Sequence, residues 1–171
     1  AKAENGSYTS SRIKTDGIYS FTYGRVEVRA KLPSGGGTWP AIWMLGQNYQ
    51  TDIWPASGEI DIMEHVGNNQ NTILSALHFP GNYGGNGVTQ TTTLPTASTE
   101  FHNYGIEWTP EFIKFLVDDK VFHTFANDAS TPFNADFFLI LNVAMGGNLG
   151  GAIHPDFTAS TLEIDYVKVY Q

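Results

Sequence analysis

Residues Arg25–Leu32 alternate without a break: Val26, Val28, Ala30 and Leu32 fall on one face, Arg25, Glu27, Arg29 and Lys31 on the other. A period of two marks a half-buried β-strand and conflicts with a helix, whose period is near 3.6. Similar strand patterns recur. Phe112–Val117 and Val121–Phe125 flank Asp118-Asp119-Lys120 and read as a hairpin. Phe137–Ala144 is an apolar run short enough for a strand buried on both faces, and Leu162–Tyr170 reads as the closing strand. Ser34-Gly35-Gly36-Gly37 is a flexible loop, and Asn82–Thr93 reads as a long polar connection. No long helix or internal repeat is visible. The expectation is an all-β fold, a two-sheet β-sandwich jelly roll with a concave substrate cleft. Residues 1–171 are expected to form one domain.

One strand carries an anomaly. Gly58-Glu59-Ile60-Asp61-Ile62-Met63-Glu64-His65 packs three carboxylates into six residues of an otherwise apolar strand. Strict alternation puts Glu59 and Asp61 on one face and turns Glu64 to the other. A β-bulge at Met63 would bring Glu64 round to join them. Three acids on one surface suit glycosidic bond cleavage, in which one carboxylate attacks and a second carboxylic acid protonates the leaving oxygen. Two bland readings compete: a solvated strand face, or a hard-cation site with oxygen ligands.

The rest of the composition narrows the field. Nine Lys+Arg against seventeen Asp+Glu give a formal charge of −8, which disfavours nucleic acid and anionic membranes as partners. With no cysteine, disulfides and thiolate metal sites are excluded. No two histidines have a metal-ligand spacing, so a zinc centre is not expected. No apolar run approaches the roughly 20 residues of a membrane helix. Gly146-Gly147-Asn148 with Gly150-Gly151 is not a phosphate loop, since no Lys-Ser/Thr follows it.

These residues resemble the family 16 glycoside hydrolases, in particular the laminarinase-like branch, whose signature is Glu-x-Asp-x-(x)-Glu with the optional residue present. Here that residue is Met63. The resemblance extends through Tyr23-Gly24-Arg25-Val26-Glu27, Gly37-Thr38-Trp39-Pro40-Ala41-Ile42-Trp43-Met44, Phe101-His102-Asn103-Tyr104-Gly105, Leu141-Asn142-Val143-Ala144-Met145-Gly146-Gly147-Asn148 and Ile164-Asp165-Tyr166-Val167. It implies a retaining, endo-acting hydrolase of β-1,3-glucan, with Glu59 as nucleophile, Glu64 as acid/base and Asp61 as helper. It implies no cofactor for catalysis, a structural Ca²⁺ held in part by Asp165, and a chain lacking the family's opening strands. The expected partner is a β-glucan, met by a monomer that could need the missing opening segment. Export to the bacterial surface or medium is expected, because a polysaccharide of that size does not enter a cell. Other readings stay open: the same chemistry on another polysaccharide, a glucan-binding module without turnover, and a transglycosylase.

Around the acids, Trp54 on the stiff Trp54-Pro55 approach and Trp39 are expected to offer flat apolar rings to sugar. Trp43 and Trp108 are expected in the core. By the resemblance His78 borders the cleft near the acid/base. Asn148 is placed at the cleft by its glycine-rich loop, and Asn142 on the sheet face. His102 is expected to hold the fold by a buried hydrogen bond, and His65, His123 and His154 to be surface or structural residues.

Overall fold

The computed structural model describes residues 1–171 and is almost entirely β. Thirteen strands appear in chain order. They are β1 (Lys2–Glu4), β2 (Ser7–Thr9), β3 (Arg12–Lys14), β4 (Gly24–Lys31), β5 (Thr38–Gly46) and β6 (Glu59–His65). There follow β7 (Thr72–His78), β8 (Val88–Thr93), β9 (His102–Trp108), β10 (Phe112–Val117), β11 (Lys120–Ala126), β12 (Phe137–Met145) and β13 (Glu163–Tyr170). β1 and β2 pair with each other; the rest form two antiparallel sheets, β11-β10-β9-β4-β13 and β3-β12-β5-β6-β7-β8. The expected jelly-roll sandwich is what the chain forms.

The alternation in β4 explains the outer sheet. Val26, Val28 and Ala30 are fully buried between the sheets. Their neighbours Arg25, Arg29 and Lys31 face outward and pair with acids on adjacent strands: Glu107, Asp165 and Glu163. The buried core fills the gap with Ile42, Met44, Ile60, Ile106, Phe115, Leu139 and the large rings of Trp108, Phe133 and Phe137. Trp108 meets Phe137 edge-on at 5.4 Å and Tyr23 at 5.2 Å, both favourable quadrupole geometries. Its indole N–H donates to the Phe133 carbonyl, so burial leaves no donor unpaired. Trp108 is therefore core, as expected.

Two local readings need adjustment. The polar segment Asn82–Thr93 is not a loop throughout, because Val88–Thr93 pairs with β7 as the sheet's edge strand. Its valine and threonines are β-branched, and that preference outweighs their polarity at an edge. The hairpin after β10 is tighter than the sequence indicates: Lys120 already belongs to β11. Asp118 and Asp119 carry φ of 48° and 61°, the left-handed pair that a two-residue hairpin requires.

Asp118 also anchors the sheet. Its Oδ1 accepts from the Asn103 backbone N–H at 2.9 Å, and its Oδ2 lies 2.7 Å from His102 Nδ1. His102 Nε2 reaches Thr96 Oγ1 at 2.9 Å, so the buried imidazole ties loop, strand and hairpin together as expected. Asp118→Ala should lower stability by about 1–2 kcal/mol, from two lost hydrogen bonds and a less tolerant left-handed position. Asp118→Asn should retain most of it. Urea denaturation of both variants measures the difference.

Candidate active site

Strand β6 is fixed on both sides. On β5, Leu45 faces Glu59, Trp43 faces Asp61, Ile42 faces Met63 and Ala41 faces Glu64. Ile62 has no counterpart there. On β7, His78 faces Glu59, Ala76 faces Asp61 and Leu74 faces Glu64. The register thus slips between Asp61 and Glu64, the bulge that the acid spacing demands. The extra residue differs from the expectation: Met63 keeps its partner Ile42, and Ile62 is the unpaired one on the β5 side. Both apolar side chains turn into the core, 1% and 0% exposed, and Glu64 rejoins Glu59 and Asp61 on the other face. Gly58 opens the strand with φ +77°, where a side chain would lie 2.9 Å from both Phe137 and Pro132. Only glycine fits that entrance without displacing the core.

The cleft face is read from the same register. Trp39 Nε1 donates to Glu64 Oε1 at 2.8 Å, so this ring orients an acid as well as offering a flat surface. Gly147 and Gly150 lie close against Trp39; added β-carbons would come within 3.6 and 3.3 Å of it. Trp54 is 40% exposed and stands 6.1 Å from His78 and 5.6 Å from Tyr83, forming an aromatic wall beside Glu59. His78 Nε2 lies 3.2 Å from Asp61 Oδ2. Glu59, Asp61 and His78 each offer a ligand atom within 4.8 Å of the others.

Trp43 is a correction. It was expected in the core, yet it stands half-buried on the acid face beside Asp61. Its indole N–H donates to Asn142 Oδ1 at 2.8 Å, and the Arg12 guanidinium lies 4.6 Å above its ring. Asn142 therefore sits on the expected sheet face, held by Trp43. Asn148 is exposed on the single helical turn Gly147–Gly150. Its neighbour Leu149, not Asn148, lines a cavity of about 110 Å³ with Glu64, Leu74 and Thr91. Tyr83 and Arg12 are cleft residues that the sequence reading missed.

Asp165 lies on the other sheet, with Oδ2 2.5 Å from Arg29 Nη1. The pair is exposed, and a calcium ion held at Asp165 would compete with that guanidinium for its carboxylate. Of the remaining histidines, His65 is buried with Nε2 2.8 Å from the Gln70 carbonyl oxygen. His123 is buried against Ser75 at 2.8 Å, and His154 is an exposed surface residue.

Burial governs the site's electrostatics. It raises Glu59 from the usual carboxylate range to about 8, with Asp61 adding to the rise and His78 and Trp54 opposing it. Asp61, the most enclosed, is pushed well up by burial and then by Glu64. Glu64 is raised by burial too, against the Trp39 donor. Three like charges this close cannot all ionise, so the group keeps a proton to higher pH than a free acid would.

The family model for glycosyl hydrolases family 16 matches residues 2–168. The chain belongs to this family. A relative, the beta-glucanase of Rhodothermus marinus, is 45% identical over 187 aligned residues, covering 98% of this chain and 64% of that protein. The chain thus spans just under two thirds of that relative. The structure of the laminarinase from Flavobacterium sp. UMI-01 superposes with a TM-score of 0.96 at 42% identity, over 99% of this chain and 76% of that one. The beta-1,3-glucan-binding protein of Penaeus monodon is also related, 38% identical over 89% of this chain and 50% of its own length.

The electrostatics give a stability test. Glu59 has a folded-state pKa raised from 4.5 to about 8. Its protonation therefore favours the fold fully below about pH 4.5, and that contribution is lost as pH rises towards 8. Glu59→Gln removes the ionisation. It should be more stable than the natural protein by about 1–3 kcal/mol near pH 8, and level with it near pH 4, on a scale of ~1.4 kcal/mol per unit shared among coupled acids. Thermal unfolding across that range reads the convergence.

Proposed function

We propose that this chain is a retaining, endo-acting hydrolase of laminarin-like β-1,3-glucan. The observation that carries the reading is the bulge in β6, which gathers Glu59, Asp61 and Glu64 on one buried face. Glu59 attacks the anomeric carbon and forms a glycosyl–enzyme ester, while Glu64 donates its proton to the departing sugar oxygen. Glu64 then takes a proton from water as that water displaces Glu59, so two inversions give net retention. Attack requires Glu59 in its ionised form, so in the reacting enzyme the proton that the acid group retains moves to Asp61. No step calls for a cofactor. Trp54 and Trp39 supply ring surface for the C–H faces of sugar units, and the open sheet face between them admits a chain at its middle, hence endo cleavage.

The β-glucan assignment rests on the 45% and 42% identities to enzymes of that specificity. The glucan-binding relative keeps a second reading alive, binding without turnover. Against it stands the acid arrangement, since a binder needs no paired carboxyls raised by burial. We further propose that the protein acts as a monomer outside the cell, where a polysaccharide substrate is met.

Incubation with laminarin separates the readings. The natural chain should release reducing sugar with its anomeric configuration unchanged by NMR. Glu59→Ser should lose turnover by at least about 10³-fold while still binding the glucan. An inverted anomer, or equal activity in the variant, rejects the assignment.

Trp39 supplies a finer test. Its N–H favours the ionised form of Glu64. Trp39→Phe keeps a ring but no donor, so Glu64 should hold its proton to higher pH. The basic limb of the kcat–pH profile should move upward, with kcat reduced about 10-fold near neutrality, a loss on the scale of ~1.4 kcal/mol.

A further inference from the structure

We propose that Glu59, Asp61 and His78 form an inhibitory site for a zinc-class divalent cation. The ligand atoms come from adjacent strands, not loops: His78 on β7 is the register partner of Glu59 on β6, and Asp61 is two residues further along the same face. All three atoms lie within 4.8 Å of one another. Zinc–ligand bonds of about 2.0–2.2 Å put neighbouring tetrahedral ligands roughly 3.3 Å apart, so small side-chain rotations complete the set.

A second observation points to a ligand. Asp61 is 3% exposed, yet its Oδ2 has no hydrogen-bond partner, although His78 Nε2 stands 3.2 Å away. A buried carboxylate oxygen and an imidazole nitrogen thus face each other out of hydrogen-bond geometry. An ion between them would satisfy both. One imidazole and two carboxylates favour Zn²⁺ or Cu²⁺ over Ca²⁺ or Mg²⁺, which prefer oxygen alone. Glu64 does not belong to the set; its Oε1 is taken by Trp39.

Cation binding is independent of the proposed hydrolysis, whereas inhibition rests on it, because the ion would occupy the carboxylate that attacks. The probe is ZnCl₂ added to the metal-free chain. Calorimetry should show one site of micromolar affinity, and thermal unfolding should move upward with zinc. His78→Ala should weaken binding at least about 10-fold. Glu64→Gln should bind zinc as the natural chain does. His154→Ala is the control for the surface pair with Asp156, whose nitrogen and oxygen stand 3.8 Å apart. Laminari-oligosaccharide should compete with zinc in the natural chain, and zinc should slow laminarin hydrolysis in proportion to occupancy. Zinc binding that survives His78→Ala, or no uptake at millimolar zinc, overturns the site. If zinc binds through His78 while no form hydrolyses laminarin, the site stands and the proposed activity falls.

Discussion

The unpaired Ile62 in β6 is the constraint on which the molecule's chemistry depends. A strand that alternated throughout would bury Glu64 among Met44, Ile60 and Ile42, where an ionisable group without a partner is expensive to hold. The bulge resolves two demands at once. It sends Ile62 and Met63 into the core together and returns Glu64 to the face that Glu59 and Asp61 share. Packing and site geometry are satisfied together by one local irregularity.

The same strand carries the site's instability. Three acids sit close together with little water, and burial drives all of them upward. Their neighbours moderate the strain without removing it: the Trp39 donor at Glu64, His78 and Trp54 at Glu59. The sheet around them is antiparallel and well paired, which lets the fold tolerate a face that opposes it. Strain of this kind is expected where function requires groups that a core would reject.

Much of this arrangement was legible in the sequence, for identifiable reasons. The alternation in β4 fixed both its buried face and its row of outward charges, because parity in a strand leaves little choice. The acid spacing demanded a bulge, since Glu59 and Glu64 stand five positions apart, an odd step. Parity also places Trp43: it stands four residues from Trp39 on one strand, so the two rings share the acid face. The edge strand β8 was hidden because polar threonines mimic a loop when no apolar row accompanies them. Arg12 above Trp43 and Arg29 against Asp165 are contacts between strands distant in sequence, and no local pattern encodes them.

The bulge also says how this scaffold tolerates insertion and deletion. Removing either Ile62 or Met63 would leave Glu59 and the last acid four positions apart, an even step, and a regular pleat would still place them side by side. Adding one further residue would put them six positions apart, again an even step that a regular pleat places on one face. Length variation in this strand can therefore come and go by one residue without scattering the acids, provided the pleat adapts. What changes is the stretch of backbone between the two glutamates, and with it how far apart their carboxyl groups begin.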